Sequence, residues 1–280
     1  MKTEIITPPE YNYIAAFLTL RCNLNCSYCI NRYEEFQTPS EMTGEDWIEG
    51  LSRITTRVDL PISIQGGEPT IHPSFYNIVN SLHFNFRKHL DLLTNGMFDL
   101  KEFTGQIDPE VFKRGAKYAS IRFSYHTKMS PIALAMKVWE LQNRDYEVGI
   151  WGLDTVANSN MAMKHLCTCL NIDFREKEFL SPTNGTYKYP DAVTMKQKKR
   201  VWCKGSELLI GPSGHIFRCH ADLYANRNWT GHILDEHISF PGYKECLNYG
   251  HCNPCDVKLK TNRLQESGHC SVDIKGTEAK

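Results

Sequence analysis

Through the first two-thirds of the chain, apolar runs that read as buried strands alternate with segments that read as amphipathic helices, an order few folds accommodate. Residues 13–20 (YIAAFLTL) suit a strand covered on both faces. A helix follows over 43–57, where Thr43 and Asp46 stand at capping-box spacing and Trp47, Ile48, Leu51 and Ile54 recur at helical intervals. Residues 60–65 (LPISIQ) are a second strand running into glycines, and a helix covers about 73–83. Strands three to six fall at 90–93, 119–125, 146–153 and 172–175. Helices at 131–143, with proline in its first turn, and near 158–170 lie between the later ones. Such alternation implies parallel strands joined by right-handed crossovers. The expected fold class is therefore α/β, a partial (β/α)6 TIM-like barrel.

In parallel α/β folds the ligand sits on the loops after the carboxyl ends of the strands, and polar residues gather there in this sequence. Cys22, Cys26 and Cys29 follow strand one; Gly66, Gly67, Glu68 and Pro69 follow strand two; Thr94 and Asn95 follow strand three. In strand four Arg122, Ser124 and His126 alternate with Ile121, Phe123 and Tyr125, which assigns the polar set to the barrel lumen. A surface ion pair is the competing reading for Arg122.

The run LTLRCNLNCSYC sets three thiols at C-x3-C-x2-C, and chance would place three cysteines at those offsets only about 0.02 times per chain. Three soft ligands leave a fourth position open, which suits an iron-sulfur cluster with one reactive iron. A structural zinc site would normally close with four protein ligands. Cys167 and Cys169 read as small buried hydrophobes, and six more cysteines close the chain at 203, 219, 246, 252, 255 and 270.

Lys plus Arg equals Asp plus Glu at 32 each, so no global field draws nucleic acid or an anionic membrane; the basic run at 196–200 reads as a solvated loop. No apolar stretch approaches a membrane span and the start lacks a signal-peptide core. The expected location is cytoplasmic, where clustered cysteines point to metal or redox chemistry rather than disulfides.

RCNLNCSYC followed by QGGEPT resembles the radical S-adenosylmethionine (radical SAM) superfamily over roughly residues 13–180. The resemblance implies that Cys22, Cys26 and Cys29 hold a [4Fe-4S] cluster whose fourth iron is chelated by SAM. It implies that Tyr28 packs near the adenine and that Gly66, Gly67, Glu68 and Pro69 line the SAM amino group, the glycines allowing close approach. Thr94 and Asn95 count with the cofactor-binding residues, Ser124 is the candidate for the ribose hydroxyls, and Arg122 for the SAM carboxylate. Residues 149–152 (GIWG) match the family's adenine-contact motif only loosely. The implied chemistry is one-electron cleavage of SAM to a 5′-deoxyadenosyl radical that abstracts a hydrogen from an unactivated C–H bond.

Beyond residue 180 the strand-turn-strand run ELLIGPSGHIFR lies between Cys203 and Cys219, and Cys252-x2-Cys255 precedes a lysine-rich segment read as helical. This resembles a twitch domain, a shortened relative of the SPASM domain. The resemblance implies three regions: a barrel at 1–180, a linker at 181–202 and a small hairpin-plus-helix domain at 203–280. One auxiliary [4Fe-4S] cluster would sit on Cys203, Cys219, Cys252 and Cys255, with zinc in the same thiolates as the structural alternative. The full SPASM pattern has C-x2-C-x5-C-x3-C where this chain has C-x5-C-x2-C and then Cys270. That leaves Cys246 and Cys270 to be inert, to replace a ligand, or to donate a hydrogen atom to a substrate radical. Oxidation by the auxiliary cluster would give dehydrogenation, and hydrogen return by a thiol would give epimerisation.

The short segment before strand one argues against a peptide-recognition domain, so the expected substrate is a small sugar or aminocyclitol derivative. His126, Asp154 and Glu178 are its candidate contacts, and the external one-electron donor would be of flavodoxin or ferredoxin type. The alternatives are a peptide-modifying radical SAM enzyme and a non-catalytic metal-binding scaffold.

Overall fold

The computed structural model describes residues 2–26, 29, 40–126, 129–154, 160–178, 199–249 and 272–278. Six strands carry the barrel sheet: β1 (Tyr13–Thr19), β2 (Ile62–Gly66), β3 (Leu90–Thr94), β4 (Ile121–Tyr125), β5 (Val148–Asp154) and β6 (Asp173–Glu178). Each pairs in parallel with the next. The crossovers carry α1 (Gly44–Ser52), α2 (Phe75–Phe84), α3 (Leu100–Gln106), α4 (Pro131–Asn143) and α5 (Met161–Cys169). The expected α/β architecture is thus what the chain forms.

The period of two along the strands divides the sheet's faces. Ile14, Ala16 and Leu18 of β1, with Ile121, Phe123 and Tyr125 of β4, join a core with Trp47 of α1, Phe75 and Val79 of α2, Phe103 of α3, Leu134 and Val138 of α4, and Met163 of α5. Ala15 and Phe17 point the other way, into a second cluster with Leu209, Phe217, Leu223 and Tyr224. Arg122 and Ser124 therefore lie opposite the helix-covered face, as the alternation in strand four requires.

Local signals explain most boundaries. Thr43 caps α1 by accepting from Asp46 N–H at 3.2 Å. That helix stops at Ser52 rather than 57, because Ile54 bridges Ile5 and Arg57 bridges Leu60. Ser130 caps α4 with Pro131 at its first turn. The helix α3 has no counterpart in the sequence reading: only Phe103 of its seven residues is buried, so it carries no apolar stripe. Asp99 starts it by accepting from Glu102 N–H at 2.7 Å.

The expected hairpin forms as β8 (Glu207–Ile210) and β9 (His215–Phe217), following β7 (Lys199–Gly205). It adds to the barrel sheet itself, since β8 pairs in parallel with β1, Tyr13 opposite Glu207 and Ala16 opposite Ile210. Helix α6 (His220–Tyr224) then lies against the inner face, and β10 (Gly231–His232) pairs with β9. The sheet order is β10-β9-β8-β1-β2-β3-β4-β5-β6. A second sheet sets β7 between β11 (Lys244–Tyr249) and β12 (Val272–Glu278), both antiparallel to it. Among the described residues no helix is long and apolar enough to cross a membrane.

Candidate active site

The cysteine loop leaves the carboxyl end of β1 and is held from three sides. From below, the backbone of β2 crosses it: Gly67 N–H donates to Thr19 O and Glu68 N–H to Arg21 O, both at 2.8 Å. A Cβ on Gly66 would stand 2.0 Å from Thr19 O, and one on Gly67 would stand 2.1 Å from Arg21 O. Gly66 also has φ of +151°. The two glycines are needed so that β2 can pass against the root of the cysteine loop; the expected reason was close approach to a ligand.

Glu68 is fully buried, and its carboxylate accepts from Asn95 N–H at 2.7 Å, Thr94 Oγ1 at 2.8 Å, Thr70 Oγ1 at 2.7 Å and Thr70 N–H at 3.2 Å. Burial pushes its pKa up against the pull of those donors. These bonds turn the carboxylate to the loops after β2 and β3, so Glu68 braces those loops. Asn95 completes the connection: its side-chain amide donates to Asn23 Oδ1 at 2.8 Å and reaches Cys22 Sγ at 3.6 Å. Leu24 N–H also donates to Cys22 Sγ at 3.3 Å. Thr94 and Asn95, expected at the site, thus touch the motif and the cysteine loop directly.

The third side escaped sequence reading. Glu41 grips the loop's base, taking Arg21 Nε at 2.9 Å and Arg21 Nη2 at 2.8 Å and accepting from Thr19 Oγ1. Burial raises the Glu41 pKa, but the bonds from Arg21 and Thr19 outweigh it and hold the carboxyl below its ordinary value. No short-range motif links positions 19, 21 and 41, and the contact exists only once the loop folds back.

The chemistry of this donor set fits an iron-sulfur cluster: soft thiols stand on a loop fixed by two glycines, with N–H donors directed at Cys22 sulfur. Among the described residues no three His, Cys, Asp or Glu side chains close into a metal cage by themselves. Tyr28 lies outside the described residues, as do Cys252, Cys255 and Cys270.

Arg122 goes elsewhere than expected. Its guanidinium donates to Asp91 Oδ2 at 2.9 Å, and Arg114 meets Asp91 Oδ1 at 2.6 Å, all three side chains nearly solvent-free. Both guanidiniums lie over the Tyr118 ring, at 5.0 and 5.4 Å from its centroid. Asp91 and Arg122 are the second residues of β3 and β4, so this cluster sits toward the amino ends of the strands, about 13 Å from the loops. An arginine held there closes the sheet's lower end and is not a contact for a carboxylate at the loops. Ser124, half-buried and opposite Trp151 in register, lies farther up the same strand. His126, partly buried with its pKa lowered by burial, ends that line. Asp154 and Glu178 are register partners at the carboxyl ends of β5 and β6. Tyr224, which the sequence did not single out, is buried on α6 edge-on to Phe17, with centroids 6.0 Å apart. Burial pushes its hydroxyl pKa well up, and the charge of Cys29 adds to this.

The described carboxyl-terminal cysteines are placed by a different route. Cys246 of β11 pairs with Val201 and Lys244 with Cys203, so Cys203 and Cys246 are diagonal neighbours on one face, about 7 Å apart. Cys219 caps α6.

A family model described as the radical SAM superfamily matches residues 17–126, spanning the cysteine loop, the glycine motif and Asn95. It is this segment that is similar to the radical SAM superfamily. Among relatives by sequence, mouse (Mus musculus) molybdenum cofactor biosynthesis protein 1 is 32% identical over 91 residues, 31% of this chain and 14% of that protein. The PqqA peptide cyclase of Streptomyces rochei is 30% identical over 80 residues, 29% of this chain and 22% of that one. The chain thus matches less than a quarter of the length of these relatives. The solved structure of native anSMEcpe with bound AdoMet and Kp18Cys peptide is similar at 13% identity and a TM-score of 0.57, covering 92% of this chain and 82% of that one. That likeness is one of fold.

Proposed function

We propose that this protein is a radical SAM enzyme that cleaves SAM reductively and abstracts a hydrogen atom from a C–H bond of a small polar substrate of sugar or aminocyclitol type. The observation carrying the reading is the network that ties Gly66–Pro69, Thr94 and Asn95 to Cys22, because it holds the three loops on which such a cofactor pair would rest as one unit. A [4Fe-4S] cluster on Cys22, Cys26 and Cys29, with SAM on its open iron, would supply the 5′-deoxyadenosyl radical, its electron coming from a flavodoxin- or ferredoxin-type donor. The chain's own residues do the rest. Glu68 and Asn95 fix the loop, Phe17, Leu209 and Tyr224 keep water from the inner face, and Ser124, half-buried on β4, is the proposed contact for the ribose hydroxyls. His126, Asp154 and Glu178, at or just beyond the carboxyl ends of three successive strands, are the proposed substrate contacts.

In the same proposal the carboxyl-terminal cysteines hold one auxiliary [4Fe-4S] cluster in a twitch-like extension. The register of β7 and β11 favours Cys246 as a ligand beside Cys203 and Cys219, with the remainder drawn from Cys252, Cys255 and Cys270. Cys246 is then less suited to return hydrogen to a substrate radical, which favours dehydrogenation over epimerisation. Peptide modification is the second reading, favoured by the peptide-cyclase relative and the peptide-bound fold neighbour.

Iron and product analysis tests these points. Anaerobically reconstituted protein should hold about eight irons per chain, and about four would remove the auxiliary cluster. With an aminocyclitol substrate, a ketone product supports dehydrogenation and solvent deuterium at an inverted carbon supports epimerisation. Turnover of a peptide but of no sugar would replace the small-substrate reading.

A further inference from the structure

Arg218 stands where three cysteine-bearing segments meet. It directly precedes Cys219, its Nη1 donates to the carbonyl of Glu245 at 3.2 Å, one residue before Cys246, and its own carbonyl lies 2.5 Å from where a Cβ on Gly205 would be, two residues after Cys203. The side chain is only 13% exposed and is anchored by Asp222 Oδ2 at 3.3 Å, itself 5% exposed. Arg227 Nε at 3.4 Å and Asn228 Nδ2 at 3.1 Å also hold Asp222, so the buried carboxylate is shared and does not cancel the guanidinium alone. A guanidinium keeps its proton across the working pH range, so the charge at this junction is fixed.

We propose that Arg218 is a positioning residue whose fixed positive charge raises the reduction potential of the iron-sulfur cluster held by Cys203, Cys219 and Cys246. The inference rests on the auxiliary-cluster reading above. Reduction adds one electron to the cluster and makes it one unit more negative; the guanidinium stays protonated throughout and exchanges no proton. A nearby buried cation stabilises that reduced form more than the oxidised one, because the low local dielectric screens it poorly. A higher potential suits a cluster that must accept an electron from a substrate radical. The anchoring by Asp222 and the Glu245 carbonyl keeps the cation at a set distance through that step.

The test uses the full chain with Cys22, Cys26 and Cys29 replaced by Ala, so that only the auxiliary cluster is loaded, in a mediator titration followed by electron paramagnetic resonance. Arg218→Gln should lower the reduced-to-oxidised ratio at fixed potential about tenfold, a shift of about 59 mV for a one-electron couple. Arg218→Lys, which keeps the charge, should stay within about twofold of the parent, and Asp222→Asn should move the midpoint the opposite way to Arg218→Gln. Coincident midpoints for Arg218→Gln and parent, or equal shifts in the Gln and Lys variants, would overturn the proposal. If Arg218→Gln holds no cluster, Asp222→Asn decides alone, and an unmoved midpoint overturns it. A parent protein without iron and sulfide is a different failure: it removes the auxiliary cluster and this inference with it.

Discussion

Asn95 illustrates how much of the site depends on single side chains. Its amide bridges Asn23 and Cys22 while its backbone N–H is bound by Glu68, so it links the cysteine loop to the glycine motif. Asn95→Ala removes the side-chain bonds, each worth about 1 kcal/mol, and leaves the backbone bond in place. Iron should then be lost to a chelator faster than from the wild type, with circular dichroism unchanged. Asp91 sets the opposite case. Asp91→Asn leaves two buried guanidiniums against a neutral partner and should destabilise the chain by about 3–5 kcal/mol in urea unfolding, with little direct effect on SAM binding. The face of Arg122 was legible from its alternation with Ile121 and Phe123. Its partner was not, because the register that sets Leu93 opposite Arg122 brings Asp91 within reach only after β3 and β4 pair.

At the scale of elements, legibility followed caps and stripes. Helix α4 falls on its expected residues because Ser130 and Pro131 start it and Leu134, Val138 and Leu141 give it a continuous buried face. Helix α3 was missed for want of that face, and the sheet of β7, β11 and β12 because its strands are separated by long stretches of chain. The two cysteines of α5 share a helix but not an environment. Cys167, one turn on from Met163, is fully buried with its thiol pushed up to about 11, whereas Cys169 is exposed. At pH 8 roughly one Cys167 in a thousand would be thiolate. Iodoacetamide should therefore label Cys169 and spare Cys167 in the folded protein, and labelling of Cys167 should rise with pH toward 11. Mass spectrometry of the modified peptides reads both outcomes, and equal labelling at pH 8 would contradict this placement.

For the molecule as a whole, the order of strands is the consequential finding. The hairpin was readable from its glycine-proline turn, but its pairing with β1 was not, since a hairpin does not announce which sheet edge it will cover. Strand β8 removes the open edge of β1, and Leu209, Phe217, Leu223 and Tyr224 cover Ala15 and Phe17. A chain ended after residue 198 would expose that edge and those side chains. It should aggregate on size exclusion, whereas a monomeric fragment with cooperative unfolding would show that the barrel stands alone. The same arrangement brings α6, with Cys219 at its start and Tyr224 at its end, onto the inner face, and so sets the proposed auxiliary site beside the proposed radical site. The claim on which both depend is that the loop of Cys22, Cys26 and Cys29 makes a radical from SAM. Reconstituted protein given SAM and dithionite should release 5′-deoxyadenosine and methionine, and replacing any of the three cysteines by Ala should abolish it. Protein loaded with iron and sulfide that binds SAM yet forms no 5′-deoxyadenosine would contradict the account.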